Sequence, residues 1–300
     1  MVFFGSGPVA AESLRLLAEN FNIEVVVTKP KPTHHRGNFP VLDLVKQLNL
    51  PVKTVTNKNE LDELISSKPF DSKLGVIIDF GIIVSRKVID YFPLGIVNSH
   101  FSLLPEWRGA DPITFSILSG QPKTGVSLML IDEGLDTGKL LTYKTLPIEP
   151  MDTTQSLTDR LIKLSDKLLQ DYLPKYVIGS IKPKNQPHPD RATYSRKLTK
   201  EDSIIDWNKS AQQIEREIRA YIEWPKSRTK IADKEIIITK AHALPTNIPN
   251  NPIGKFEAVG NALMVECGKG TLCIDRLKPA GKSEMTAMAF LAGYKNLINQ

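Results

Sequence analysis

Cysteine is nearly absent: the 300 residues contain Cys267 and Cys273 and no other. Two such residues supply no disulfide framework, and the gap between them is not a zinc-knuckle spacing. Long apolar runs are missing too, with none near the roughly 18 residues that a membrane-crossing helix needs. No basic segment precedes the first apolar run, Val2-Phe3-Phe4, so no secretory leader is expected. Hydrophobic residues at 41% and charged residues at 24% lie near globular averages, which excludes a disordered chain or a fibre. What is left is a soluble, cytoplasmic chain of about two domains, taking roughly 150 residues for each.

Charge is present but unevenly spread. The net charge is +6, yet residues 1–174 sum to −2, and the short segment 175–200 alone carries +6. A near-neutral first half is thus joined through a basic stretch to a basic second half. Such a junction suits a polyanion, or it is a solvated connection with ordinary surface lysines.

The first half reads as strands alternating with helices. Val2-Phe3-Phe4 leads through Gly5-Ser6-Gly7-Pro8 into a helical pattern from Ala10 to Phe21, and Ile23–Thr28 is a second β-branched run. Val41–Leu48 looks helical, and Leu74–Ile78 and Gly95–Asn98 look like buried strands. A helix over Pro112–Leu118, two pairing strands at 126–132 and 139–146, and a long helix from Thr153 to Tyr172 follow. Alternation of this kind implies an α/β domain with a mostly parallel sheet. Three prolines within 182–191 then favour an extended connection. After one more helix, Ser210–Tyr221, five short β-like runs between 227 and 277 suggest a small β-barrel. The expected organisation is a Rossmann-like α/β domain over 1–180, a basic linker over 181–204 and an OB-like β-barrel over 205–300.

Gly5-Ser6-Gly7-Pro8-Val9-Ala10 fits the glycine pattern of a dinucleotide-binding turn. The second strand, however, ends at Thr28-Lys29, where a ribose-binding acid would be expected. The turn is therefore read as a tight one whose amides are open to some polar ligand. Asn98 and His100, two apart on an extended chain, share one side. An Asn amide can donate to a developing oxyanion, and a His can move a proton near neutral pH. Taken alone, the pair is equally an ordinary loop Asn and a hydrogen-bonded His. Residues 101–109 then put apolar and aromatic side chains into a loop, which is where sites are lined. The segment Asp132-Glu133-Gly134-Leu135-Asp136-Thr137-Gly138 is either a hairpin turn or a tight loop aiming the Asp136 carboxylate inward to orient His100. His34-His35 has no carboxylate or cysteine partner nearby in the chain, so no metal is expected.

Taken in order, Asn98-x-His100, Ser102-Leu103-Leu104-Pro105-x-x-Arg108-Gly109 and Asp136-Thr137-Gly138 resemble the catalytic core of the formyltetrahydrofolate-dependent formyltransferases. The resemblance implies that Asn98, His100 and Asp136 are catalytic. It also implies that Ser102, Leu103, Leu104 and Pro105 belong to the folate site, and Asp79-Phe80-Gly81 resembles the segment beside the pterin pocket, which places Phe80 and Gly81 there. The co-substrate it implies is 10-formyltetrahydrofolate, with no metal.

Further segments are similar to the methionyl-tRNA formyltransferases within that family. They are Ala192-Thr193-Tyr194-Ser195, Leu198 to Asp202, Ile205-Asp206-Trp207, Trp224-Pro225, and the tail from Gly268 to Lys282. The tail is the best separator from the sugar-nucleotide N-formyltransferases, which remain the alternative. The implied partner is initiator methionyl-tRNA, with Arg36 of the family's basic loop near its reactive end; the basic junction is expected to hold its phosphates through Lys182, Lys184 and Lys200, and no membrane and a monomeric enzyme are expected. One departure stands out: Arg36-Gly37 matches the family's basic loop, but Asn38 and Phe39 replace the lysines that usually follow.

Overall fold

In a computed structural model of the chain, the residues described are 1–31, 39–246, 251–294, 296 and 298. They divide into two compact units that do not follow chain order. The first comprises 1–112, 123–147 and 158–196, and the second 113–122, 148–157 and 197–300.

The first unit is built on β1 (Val2–Phe4), β2 (Val25–Thr28), β3 (Val52–Thr54), β4 (Gly75–Ile77) and β5 (Ile96–His100). A two-residue β6 (Arg108–Gly109) precedes β7 (Lys123–Leu130) and β8 (Leu140–Pro147). The sheet order is β3-β2-β1-β4-β5-β7-β8, parallel through β5 and antiparallel beyond. β1 and β2 are apolar at nearly every position because both faces of a parallel sheet are covered. Val2 and Phe4 join Leu61 and Ile65 of α3 (Lys58–Ser66) and Val88 of α4 (Arg86–Tyr91) in one cluster. By the two-residue period of a strand, Phe3 points to the opposite face. Two further helices, α1 (Pro8–Asn20) and α2 (Pro40–Gln47), pack on each other. Phe4 sits at the centre of an aromatic group, with ring centroids 5.6 Å from Phe80 and 5.9 Å from Phe92, both edge-on.

Sequence periodicity passed over β3 and α3. β3 is short and exposed throughout, so it lacks an apolar signature. For α3 the signal was a cap: the Asn57 side chain accepts from the N–H groups of Asn59 and Glu60, and the Thr56 N–H donates back to Glu60.

The helices α5 (Pro112–Ser119) and α6 (Thr154–Val177) follow. α6 continues past the expected end at Tyr172, across Pro174. Thr153 starts it: its Oγ1 accepts from Ser156 N–H, and Ser156 Oγ accepts from Thr153 N–H, a reciprocal cap. β9 (Tyr194–Ser195) pairs in parallel with β6 within the first unit.

The second unit holds α7 (Ala211–Ala220) and the strands β10 (Ser227–Ile231), β11 (Lys234–Leu244), β12 (Phe256–Val259), β13 (Ala262–Glu266) and β14 (Thr271–Pro279). A short β15 (Met285–Thr286) and α8 (Ala287–Tyr294) complete it. The antiparallel order is β10-β11-β14-β13-β12, with β15 on β14. No pairing closes β12 onto β10 among the described residues. Ile214 and Ile218 of α7, Phe290 of α8, and alternate residues such as Leu263, Val265, Leu272 and Ile274 form its core. Among the described residues, no helix is long and apolar enough to cross a membrane.

Phe4 is fully buried and anchors one face of the larger sheet. Phe4→Ala should therefore lower the stability of the chain by about 3–5 kcal/mol, read as a shift of the urea midpoint at constant slope.

Candidate active site

Asn98 and His100 lie at the carboxyl end of β5, paired with Met129 and Ser127 of β7. The intervening Ser99 points to the other face, where its hydroxyl bonds that of Ser165 on α6 at 2.6 Å. Strand alternation thus aims the Asn and the His together. Asp136 reaches them from the β7–β8 loop, 38 residues away from Asn98 in sequence.

The Asp136 loop is shaped by its own chemistry. Asp132 Oδ1 accepts from the Gly134 N–H at 3.1 Å and from Thr137 Oγ1 at 2.7 Å. Gly138 passes so close to the end of the preceding strand, β7, that a Cβ there would stand 1.7 Å from Leu130 O. Asp136 itself takes a left-handed conformation, φ 52°, which Asp tolerates better than most residues. Its Oδ2 accepts from the Gly109 N–H at 2.8 Å and lies 3.8 Å from His100 Nδ1. Asn98 Nδ2 faces its Oδ1 at 3.5 Å. The three residues that sequence reasoning singled out therefore meet around one carboxylate.

His100 is 6% exposed, and its Nε2 donates to Trp107 O at 3.0 Å. In the neutral ring, Nδ1 then carries the lone pair and faces Asp136. A proton taken up at Nδ1 would lie between the ring and the carboxylate.

The loop from 101 to 109 is held from several sides. Ser127 Oγ donates to Ser102 O at 2.8 Å and accepts from Leu104 N–H at 3.1 Å. Trp107 N–H donates to Thr193 Oγ1, and Arg108 N–H to Thr193 O. Arg108 is 6% exposed and donates through Nη2 to Gln186 Oε1 at 2.7 Å. Gln186 Nε2 in turn donates to Asp136 O at 2.7 Å and to Gly138 O at 3.0 Å. The Gln186 carboxamide therefore ties the Asp136 loop to the loop carrying Arg108 and Gly109. No periodicity or motif marks Gln186; its role exists only through contacts distant in sequence.

The other expected site residues are placed as follows. Phe80 is buried among the aromatic residues of the core, and Gly81 is exposed with Lys29 Nζ donating to its carbonyl at 2.9 Å. Ser102, Leu104 and Pro105 are buried, whereas Leu103 is half-buried and lies over Gly125. Lys182, Lys184 and Lys200 are exposed. Arg36, like His34 and His35, lies outside the described residues.

The Gly5-Ser6-Gly7 turn also finds its polar ligand. β1 and β4 are neighbours where the strand order reverses, which is where open α/β sheets form a crevice. The Ser6 and Gly7 N–H groups donate to Asp79 O, and the Asp79 carboxylate accepts from Ala10 N–H in the first turn of α1. A Cβ on Gly7 would meet Asp79 Oδ2 at 1.8 Å, so glycine is needed for the carboxylate to enter. The chain supplies its own anion at this helix start.

Part of Asp79 faces solvent, yet crowding of its carboxyl over the turn pushes its pKa from 3.8 to about 6. Burial is the main cause; the Ala10 N–H and Lys29 oppose it, and Asp111 adds to it.

Residues 2–173 match the formyl transferase family, and residues 197–295 match the formyl transferase C-terminal domain. The chain is 34% identical to the methionyl-tRNA formyltransferase of Pseudoalteromonas translucida over 99% of this chain and 95% of that protein. With the methionyl-tRNA formyltransferase of Roseiflexus castenholzii it shares 35% over 98% and 96%. The chain belongs to the methionyl-tRNA formyltransferase family. Its fold is that of the N-formyltransferase from Helicobacter canadensis, solved with folinic acid and dTDP-3-aminofucose, at a TM-score of 0.68 and 22% identity over 91% of this chain and 97% of that one. The mostly parallel α/β unit and the antiparallel β unit are thus a formyltransferase fold.

The raised Asp79 pKa carries a pH dependence. Between 3.8 and about 6 the folded chain holds a proton that the unfolded chain has released, so stability falls as pH rises through that window. Asp79→Asn accepts the same N–H bond and never ionises. The difference in melting temperature between this variant and the native chain should move in the variant's favour as pH rises from 3.8 to about 6, and stay level above.

Proposed function

We infer that the protein transfers a formyl group from 10-formyltetrahydrofolate to the α-amine of methionine on initiator methionyl-tRNA, forming formylmethionyl-tRNA for translation initiation. The observation that carries this reading is the meeting of Asn98 and His100 around the Asp136 carboxylate, on a chain similar end to end to methionyl-tRNA formyltransferases.

Transfer of a formyl group between two nitrogens makes three demands. The formyl oxygen needs a donor as it gains negative charge, the attacking amine must lose a proton, and the departing N10 must gain one. Asn98 supplies the amide donor for the oxygen. His100 accepts and returns the proton at Nδ1, because Nε2 is committed to the Trp107 carbonyl. Asp136 holds the imidazolium in place while its own position is kept by Gly109 N–H and Gln186. No metal is required for these steps.

The folate is read as lying against Leu103 and the backbone of 80–81 and 102–105. The buried Phe80, Ser102, Leu104 and Pro105 side chains support that wall from behind. Residues 1–180 form the catalytic domain in this reading, 181–204 a basic connection and 205–300 the tRNA-binding domain, in a monomeric cytoplasmic enzyme. The exposed Lys182, Lys184 and Lys200 suit phosphate contacts, and Arg36 the reactive end of the acceptor arm.

Formylation assays with initiator methionyl-tRNA and, separately, a dTDP-linked amino sugar distinguish the reading from its alternative. Turnover on the sugar without turnover on the tRNA overturns it. Asn98→Ala should lower kcat by about 10²–10³ with the fold unchanged by circular dichroism.

Neutralising Lys182, Lys184 and Lys200 together should raise KM for methionyl-tRNA more than it lowers kcat. The log–log salt slope should fall by about 0.7–0.9 for each phosphate that the variant no longer neutralises. Arg36→Ala should instead lower kcat.

A further inference from the structure

Among the described residues, a group of His, Cys and Asp side chains with ligand atoms close enough to hold a metal ion lies on the β unit. β11 and β14 pair in antiparallel register, with His242 opposite Cys273. Residues opposite each other in such a ladder project to the same face. The neighbours of Cys273, Leu272 and Ile274, belong to the core, so Cys273 and Asp275 share the face turned away from it. His242 Nδ1 and the Asp275 carboxylate lie 3.1 Å apart, and Cys273 Sγ completes a group whose ligand atoms all fall within 4.8 Å of one another. Met264, on β13, stands opposite Cys273 in the same cross-strand row.

We propose that His242, Cys273 and Asp275 form a binding site for a thiophilic divalent cation of the zinc class, separate from the formyl-transfer centre. One thiolate, one imidazole and one carboxylate are a three-ligand set that leaves a fourth position for water. The two negative charges of the thiolate and carboxylate balance those of the ion. Tetrahedral bonds of about 2.0–2.3 Å separate ligand atoms by about 3.3–3.8 Å. The pair at 3.1 Å must open by a few tenths of an ångström to reach that spacing, and since no gap exceeds 4.8 Å, the others must contract by at most about 1–1.5 Å. His242 is 52% exposed and Asp275 32%, so both side chains have room to rotate, while the pairing of two strands fixes the backbone beneath them. Cys273 is only 8% exposed, which shields the metal–sulfur bond on one side. A bound ion would staple β11 to β14 and stabilise the β unit, since metal bound only to the folded form adds to folding free energy. Sequence spacing conceals the site: His242 lies 31 residues before Cys273, and only strand register brings them together.

The test is titration of the full-length, untagged, metal-stripped protein with cobalt(II). The expected result is a near-ultraviolet thiolate-to-cobalt band and intense visible bands, saturating at one equivalent and erased by zinc. The charge-transfer band should vanish in Cys273→Ser and persist in Cys267→Ser, whose sulfur lies in the core of the β unit. His242→Gln, at an exposed position where folding is not at risk, should weaken binding by about tenfold or more. Zinc should raise the melting temperature of the native chain and not that of Cys273→Ser. No saturable band, a band that survives Cys273→Ser, or unchanged affinity in His242→Gln would overturn the proposal.

Discussion

The Asp136 carboxylate is the point on which the geometry of the candidate active site depends. One oxygen takes the Gly109 amide and faces His100, and the other faces Asn98. A carboxylate only 13% exposed is tolerated when its lone pairs are occupied, so three chain segments must converge wherever this one goes. The left-handed backbone at Asp136, the close passage of Gly138 along Leu130 and the Gln186 bonds to the Asp136 and Gly138 carbonyls all serve that placement. The orientation of the His100 ring follows from it, because Nε2 is held by Trp107 O and Nδ1 is left to face the acid.

A second carboxylate has a structural role at the other crevice. Asp79 occupies the start of α1, where many α/β proteins hold a ligand phosphate, and Gly7 is glycine so that it can. Two opposing forces act on it: the helix N-terminus favours its charge and burial disfavours it. The upward pKa shift says that burial prevails. The glycine turn was legible in the sequence, but its occupant was not, because Asp79 arrives from the end of β4.

The segment joining the two halves of the chain is more than a connection. Residues 193–195 supply bonds to Trp107 and Arg108 and form β9 against β6, while Gln186 sits buried behind the Asp136 loop. Composition marked this stretch as Pro-rich and basic, which describes its exposed lysines. The buried positions between them carry no compositional signal, since each is polar and pairs with a partner far away in the chain.

By itself, the sequence determined the alternating α/β half, the run of short strands after it, and the identity of the three catalytic candidates. Local periodicity and ordered motifs carry that information, because strand and helix faces repeat at fixed intervals. It missed α3, whose start rests on the Asn57 cap, and the reach of α6 past Pro174. Tertiary structure alone decided which side chains meet. The Gln186 clamp, the Asp79 anion on α1 and the His242–Cys273–Asp275 group each join residues tens of positions apart. Such pairings are set by sheet order and register, which are properties of the whole core rather than of any segment.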